Sequence, residues 1–130
     1  MTDDELLDAA RMARAMAYCP YSNFSVGAAL IDENGQVHRG CNVENAAYPQ
    51  GSCAETGAIA AMVAAGGQRI VTIAVAGGST DRTGFCTPCG GCRQRISEFA
   101  DENTRIIVKD DDETWHKYSL ADLLPSSFHL

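Results

Sequence analysis

The spacing of three cysteines constrains this chain more than any other feature of its sequence. Cys86, Cys89 and Cys92 form a Cys-x-x-Cys-x-x-Cys run, and the chain has six cysteines in all. An even number fits a disulfide framework, but such frameworks belong to short, loop-rich secreted chains. The acidic start, residues 1–5, is unlike a signal or transit peptide. The spacing therefore favours thiolate metal ligands in a reduced, cytoplasmic protein.

The order of the predicted elements indicates a three-layer α/β/α fold with a mixed central sheet, in one domain spanning residues 1–130. Thr2 and Glu5 form a capping box before an amphipathic helix that Pro20 ends. Asn34-Gly35 predicts a hairpin turn between two strands. We predict helices over residues 3–17, 52–65 and 88–99, strands over 26–31, 37–43, 70–76, 104–108 and 115–118, a loop over 77–87, and a short helical turn near the end.

Composition and charge narrow the classes of partner. Hydrophobic residues make up 45% of the chain and charged residues 21%, a balance typical of globular proteins. No apolar run approaches the roughly 20 residues that a membrane span needs, and residues 70–76 are only as long as a strand. A net charge of −7 opposes binding to nucleic acid or to an anionic membrane surface. We therefore expect a small, uncharged substrate.

Two predicted helix starts carry the residues best suited to metal binding and catalysis. Cys89 and Cys92 are three residues apart and can share one helix face, so both can reach one ion. Cys53, in the first turn of the preceding helix, can supply a third sulfur. Zinc with three protein ligands keeps a fourth position for water, and Glu55 can take a proton from that water. Ser52 and Glu55 also fit an ordinary capping box, which is the purely structural alternative for this carboxylate.

This pattern is similar to that of the zinc deaminases, in which a ligand and a nearby glutamate precede Pro-Cys-x-x-Cys. Over nearly its whole length the chain resembles the short, homotetrameric cytidine deaminases. The segments that carry the resemblance are residues 17–30 (AYCPYSNFSVGAAL), 42–49 (NVENAAYP), 53–55 (CAE), 88–94 (PCGGCRQ) and 124–128 (LPSSF). It implies one Zn²⁺ per chain, hydrolysis of cytidine and 2′-deoxycytidine to the uridine forms and ammonia, and active sites completed by neighbouring subunits.

The resemblance also implies roles for residues around the substrate. Asn42 and Glu44, two apart on a strand and so on the same side, match positions that bind the ribose hydroxyls. Phe24 matches a ring that stacks beside the base, and Ala54 matches backbone contacts with the amide edge of the base. Without the flanking match, Asn42 and Glu44 would be interpreted as solvated strand residues and Phe24 as a core residue.

Other positions concern the subunit boundary and the charge of the site. The resemblance puts Tyr48 and Phe128 near the site of a neighbouring subunit. Many members of the family carry arginine immediately after the catalytic glutamate, where this chain has Thr56. Three thiolates and Zn²⁺ sum to −1, which weakens the pull on bound water. We hypothesise that Arg93 and the positive ends of two helices compensate this charge.

Three other functions fit parts of the pattern. Cys86 with the three candidate ligands would give four thiolates, as in an iron–sulfur protein or a structural zinc module without catalysis. Either site would leave Glu55 without a role. A deaminase of a cytosine-bearing nucleoside antibiotic would share the zinc and the glutamate, but Asn42, Glu44 and residues 124–128 favour the free nucleoside. The resemblance to the cytidine deaminases implies that Cys86 is not a zinc ligand.

Overall fold

The computed structural model describes residues 1–79 and 85–130. Within them the strands are β1 (Phe24–Asp32), β2 (Val37–Cys41), β3 (Ile70–Ser79), β4 (Arg105–Lys109) and β5 (Trp115–Tyr118), and the helices are α1 (Asp3–Arg14), α2 (Ala54–Ala64), α3 (Gly90–Phe99) and α4 (Leu120–Leu123). A single 3₁₀ turn among the described residues covers Tyr48–Gln50. No helix in this part of the chain is both long and apolar enough to cross a membrane.

The strands form one mixed sheet in the order β2-β1-β3-β4-β5. β3 and β4 run parallel, whereas the other neighbouring pairs run antiparallel. On one face, Leu6, Leu7 and Ala10 of α1 pack against Ala74 and Ile107. The opposite face meets α2, α3 and α4, whose buried side chains share one core with the strands. This arrangement confirms the three-layer α/β/α fold with a mixed sheet.

The starts of α2 and α3 differ from those predicted. α2 begins at Ala54 with Cys53 as its N-cap, not at Ser52. α3 begins at Gly90 with Cys89 as its N-cap, so Pro88 precedes the helix instead of opening it. Neither cap makes a side-chain hydrogen bond to its helix. The capping-box interpretation of Ser52 is therefore wrong, because a cysteine occupies the N-cap of each helix.

The first helix is confirmed at its start but is shorter than predicted. Thr2 is the N-cap of α1, and its Oγ1 accepts a hydrogen bond of 3.1 Å from the Glu5 N–H. The helix ends at Arg14, three residues before the predicted end at 17.

β3 is longer than predicted, because tertiary pairing carries it through two glycines. It continues to Ser79, with Gly77 and Gly78 paired to β1. A Cβ on Gly77 would lie 2.7 Å from the Cys86 Sγ, so the strand passes close beneath that thiol. Residues 80–84 of the predicted loop lie outside the described residues.

Candidate active site

Three sulfur atoms meet at the adjacent starts of α2 and α3. The Sγ atoms of Cys53, Cys89 and Cys92 lie within 4.8 Å of one another, with 3.9 Å between those of Cys53 and Cys89. Zinc–sulfur bonds of about 2.3 Å at tetrahedral angles separate the ligand sulfurs by about 3.8 Å. Both the spacing and the sulfur donor set therefore fit a zinc ion.

The N-cap positions of the cysteines explain how the chain brings these sulfurs to helix ends. Cys53 and Cys89 have extended backbone conformations, and each directly precedes the free N–H groups of a helix. Burial tends to raise the pKa of the Cys89 thiol, but hydrogen bonds from the Cys92 N–H and from the Cys92 and Cys53 side chains lower it. The first turn of α3 therefore stabilises negative charge on a sulfur.

Cys86 lies in the pocket wall but outside this sulfur cluster. Among the described residues, the groups that could hold a metal ion comprise Cys53, Cys89 and Cys92 only. Burial raises the pKa of Cys86 to about 11, as it also raises the pKa of Cys53 and Cys92, so it is the position of its sulfur that separates Cys86 from the cluster. The described residues therefore assemble no four-thiolate site, and the iron–sulfur and structural four-cysteine alternatives lose their basis.

Glu55 is the buried acid of the site. It is the second residue of α2, lies only 3% exposed, and lines the same pocket as Cys53 and Cys89. Burial raises the pKa of its carboxyl, against the lowering effects of its own backbone N–H, the Cys92 side chain and the charge of Arg95. A carboxyl with a raised pKa in a cleft can hold a proton and pass it on near neutral pH.

A pocket of about 540 Å³ opens beside the sulfur cluster. This volume lies within the range of about 300–1,000 Å³ that is usual for small-molecule sites. Phe24 is 43% exposed and contributes to the lining, so its interpretation as a core residue is wrong. Cys92 is fully buried and outside the lining. Of the residues predicted for the site, the pocket brings together Phe24, Asn42, Glu44, Cys53, Ala54, Glu55 and Cys89.

Asn42 and Glu44 lie on the extended segment that follows β2, and hydrogen bonds fix both side chains. The Asn42 Oδ1 accepts from the Val26 N–H and its Nδ2 donates to the Phe24 carbonyl, each at 2.8 Å. The Glu44 carboxylate accepts from the backbone N–H groups of residues 21 and 22 and from a hydroxyl of the same segment. Neither residue is a freely solvated strand residue.

Tyr48 and Phe128 lie outside the lining of the main pocket within the chain. Tyr48 is 75% exposed, packs edge-to-face on Tyr21 with ring centroids 5.9 Å apart, and lines a smaller cavity that also includes Glu44. Phe128 is 67% exposed, and its carbonyl accepts a hydrogen bond of 3.3 Å from Gln94 Nε2. Both side chains are largely exposed within the chain, and their roles at another subunit stay predictions.

Arg93 ties the loop before α3 to the end of α4. Its Nε donates to the Pro88 carbonyl at 2.8 Å, its Nη1 to the Leu123 carbonyl at 2.9 Å, and its Nη2 to the Thr87 hydroxyl at 3.2 Å. These hydrogen bonds all end on oxygen atoms. The compensation of thiolate charge by Arg93 therefore stays a prediction that depends on its charge alone.

Phe85 is an aromatic residue of the pocket wall that was not among the residues predicted for the site. Phe85 is 51% exposed and packs on His116 with ring centroids 4.8 Å apart. His116 is in turn held by Asp110, whose Oδ2 lies 2.9 Å from its Nε2. No motif marks Phe85, because its support comes from the distant β4–β5 hairpin. Thr87, interpreted only as part of a helix start, also lines the pocket.

Fold and site together define a metal-binding α/β protein with a pocket for one small molecule. The family model for the cytidine and deoxycytidylate deaminase zinc-binding region matches residues 1–108. The chain belongs to this family of zinc-binding deaminases.

Relatives and solved structures extend the likeness to the whole chain. A cytidine deaminase from Sporosarcina psychrophila is 38% identical over 128 residues, covering 98% of this chain and 92% of the relative. The structure of a cytidine deaminase from Burkholderia pseudomallei matches with a TM-score of 0.88 and 42% identity, covering 98% of this chain and 100% of that one. That of Mycobacterium tuberculosis cytidine deaminase matches with a TM-score of 0.83 and 36% identity over all of both chains.

Proposed function

We propose that this chain catalyses the zinc-dependent hydrolytic deamination of cytidine and 2′-deoxycytidine to uridine or 2′-deoxyuridine and ammonia. Relatives that match nearly the whole chain, among them those of Sporosarcina psychrophila and Burkholderia pseudomallei, are named cytidine deaminases. The observation that carries the proposal is a single pocket in which the buried Glu55 carboxyl and the sulfurs of Cys53 and Cys89 accompany Asn42 and Glu44.

The charge of the pocket favours a nucleoside over a nucleotide. Its described lining contains two acidic side chains, Glu44 and Glu55, and no lysine, arginine or histidine. Hydrogen bonds from Ser22 and Tyr21, with burial opposing them, lower the pKa of Glu44, so this carboxyl is ionised at neutral pH. A phosphate group beside ionised Glu44 would be repelled. We therefore assign cytidine and deoxycytidine, rather than deoxycytidylate, as the substrates.

Cys53, Cys89 and Cys92 would hold the zinc ion, which when bound supplies a Lewis acid that lowers the pKa of water toward ~7. Glu55 takes the proton of the attacking water and gives it to the ring nitrogen next to the amine-bearing carbon. The same carboxyl then takes the second proton, from the new hydroxyl on that carbon, and gives it to the departing amine, so that ammonia leaves as the carbonyl of uridine forms. One carboxyl suffices because the water and the leaving group lie on the same side of the ring.

The other pocket residues orient the nucleoside. Phe24 offers its exposed ring to the base, and the backbone of Ala54 offers hydrogen-bonding groups to the amide edge. Asn42 and Glu44 are assigned to the ribose hydroxyls, since the amide can donate and accept while the carboxylate accepts. Holding the base and the sugar separately fixes the reacting carbon close to Glu55.

We further propose one catalytic domain per chain and a cytoplasmic homotetramer with shared active sites. The outward face of α2 supports the assembly, because it exposes an apolar row of small residues, Ala60, Ala61, Val63 and Ala64. The exposed rings of Tyr48 and Phe128 are available to complete a neighbouring site. Free thiols as metal ligands suit a reducing compartment. Light scattering tests the assembly, and a fully active monomer would contradict it.

The deciding experiment follows the ultraviolet absorbance of cytidine, deoxycytidine and deoxycytidylate with the zinc-loaded protein. We expect both nucleosides to be converted and the nucleotide to be converted far more slowly. Glu55→Gln, with zinc content matched to the wild type, should lower kcat by about 10²–10⁴-fold because it removes the proton carrier. No conversion of either nucleoside by a fully loaded wild type would refute the proposal.

A further inference from the structure

A serine hydroxyl links Glu44, an acidic residue of the pocket, to Phe24, an aromatic one. The Ser22 Oγ donates to Glu44 Oε2 at 2.5 Å, and the Phe24 N–H donates to the same Oγ at 3.0 Å. The direction of both bonds is fixed, because an ionised carboxylate can only accept and a peptide N–H can only donate. The Ser22 hydroxyl therefore both donates and accepts, and each of its bonds strengthens the other.

The backbone of Phe24 depends on side chains because β2 ends too early to reach it. β2 pairs with β1 only up to Cys41, which lies opposite Gly27. The main-chain N–H and carbonyl of Phe24 therefore lie beyond the last pair of the two strands. The Ser22 Oγ takes up the Phe24 N–H, and the Asn42 Nδ2 takes up its carbonyl. Both main-chain polar groups of the aromatic residue thus end on side chains from the sugar side of the pocket.

The local backbone is shaped for this contact. Asn23, between Ser22 and Phe24, has a φ of 57°, in the left-handed region that asparagine tolerates better than most residues. The chain therefore turns back at Asn23, which brings the Ser22 hydroxyl onto the N–H two residues later.

The acceptor sites of the Glu44 carboxylate connect the Ser22 hydroxyl to the substrate. A carboxylate has about four lone-pair sites. On Glu44, Oε1 accepts from the Tyr21 N–H at 2.9 Å and the Ser22 N–H at 3.2 Å, and Oε2 accepts from the Ser22 hydroxyl. The site left for a sugar hydroxyl is therefore on Oε2, the oxygen that Ser22 already holds.

We infer that Ser22 is a positioning residue that couples recognition of the sugar by Glu44 to the placement of the Phe24 ring against the base. The inference rests on the proposed nucleoside deaminase function and adds a residue to it. Without the hydroxyl, Oε2 loses the donor that orients it toward the sugar, and the Phe24 N–H loses its acceptor.

The test compares Ser22→Thr with Ser22→Val, two side chains of nearly equal shape that differ by the hydroxyl. Ser25→Ala serves as a matched control from a neighbouring serine outside the link. For Ser22→Val we expect KM for cytidine to rise about tenfold with kcat within about twofold, the size expected for losing an exposed hydrogen bond to a charged group. Ser22→Thr should stay within about threefold of the wild type, since it keeps the donor.

A substrate without the 2′- and 3′-hydroxyls separates coupling from local damage. In Ser22→Val we expect kcat/KM to fall for both substrates, because the Phe24 ring is less well placed, and to fall about threefold further for cytidine than for 2′,3′-dideoxycytidine, because Glu44 is no longer aimed at the hydroxyl. An equal loss on both substrates, or equal behaviour of the threonine and valine variants, would overturn the inference. A wild type that deaminates neither substrate would refute the proposed function instead, so the two failures are distinguishable.

Discussion

A close glycine contact between β2 and α2 predicts opposite effects for two glycine substitutions. Gly40 of β2 lies directly against the first turns of α2. A Cβ on Gly40 would sit 2.3 Å from the Ala54 carbonyl oxygen and 2.4 Å from the Ala58 nitrogen, both of them backbone atoms that cannot rotate away. Ordinary contact begins at 3.4 Å, so Gly40→Ala must push α2 away by about 1 Å.

The displaced part of α2 is the part that carries the chemistry. Cys53 is its N-cap and Glu55 its second residue, so both move with the first turn. Overpacking of this kind lowers the free energy of unfolding by about 1–3 kcal/mol. A misplacement of about 1 Å in a catalytic site costs on the order of 10²-fold in rate. For Gly40→Ala we therefore expect kcat/KM to fall about 100-fold and zinc to be held more weakly.

Gly57 faces Gly40 across the same crossing and provides the matched control. A Cβ on Gly57 would lie 3.4 Å from the Gly40 Cα, which is ordinary contact. Alanine is favoured over glycine inside a helix by about 0.8–1 kcal/mol. Gly57→Ala should therefore raise the free energy of unfolding and leave kcat/KM within about twofold of the wild type.

Thermal unfolding followed by circular dichroism, with zinc competition by a coloured chelator, measures both effects. For a chain of this size, 1 kcal/mol corresponds to about 4 °C in Tm. Gly40→Ala should melt about 4–12 °C lower than the wild type and Gly57→Ala slightly higher. A Gly40→Ala protein with wild-type Tm and zinc affinity would refute the reasoning, as would a Gly57→Ala protein that is equally damaged.

Three further predictions concern a surface ion pair, the thiols and the tether to α4. Hydrogen bonding by Arg105, with burial opposing it, lowers the pKa of Asp3. Asp3→Asn should therefore lower the free energy of unfolding, measured in urea at pH 7, by about 0.5–1 kcal/mol. The difference from the wild type should persist down to about pH 4 and shrink below it, as Asp3 becomes protonated. Removing zinc with a chelator should add up to three thiols to those that react with Ellman's reagent, the exposed Cys89 first; an unchanged count would contradict the ligand set. Zinc retention should be highest in the wild type, lower in Arg93→Lys and lowest in Arg93→Gln, because lysine keeps the charge but cannot make all three hydrogen bonds. Equal retention in all three proteins would rule out both the tethering role of Arg93 and its compensation of thiolate charge.

The metal ligands could be predicted from the sequence because their constraints are local. Cys89 and Cys92 must be three residues apart to reach one ion from the start of a helix, and Glu55 must follow Cys53 closely to lie beside that ion. The same locality makes the start of α1 predictable from its capping residue. Such local constraints do not depend on contacts with distant parts of the chain.

The rest depends on contacts between distant segments, which no local pattern encodes. Ser52 and Pro88 are good helix-start residues, yet α2 and α3 begin two residues later, with cysteine caps facing the metal site. β3 runs through Gly77-Gly78 because β1 supplies its partners. Phe85 is in the pocket wall because of His116, 31 positions further along the chain. In each case tertiary packing overrides local propensity.

The location of the sulfurs on two helices has a consequence for the life of the protein in the cell. Cys53 and Cys89 are 36 residues apart, so an ion that joins them closes a loop containing all of β3. By chain entropy alone, a permanent cross-link of that length is worth about 3–4 kcal/mol. A chain that loses its zinc is therefore both inactive and easier to unfold. When zinc is scarce, the zinc-free molecules will unfold more often and will be degraded by proteases faster than the zinc-bound ones. The protein that remains will therefore be enriched in the zinc-bound, active form.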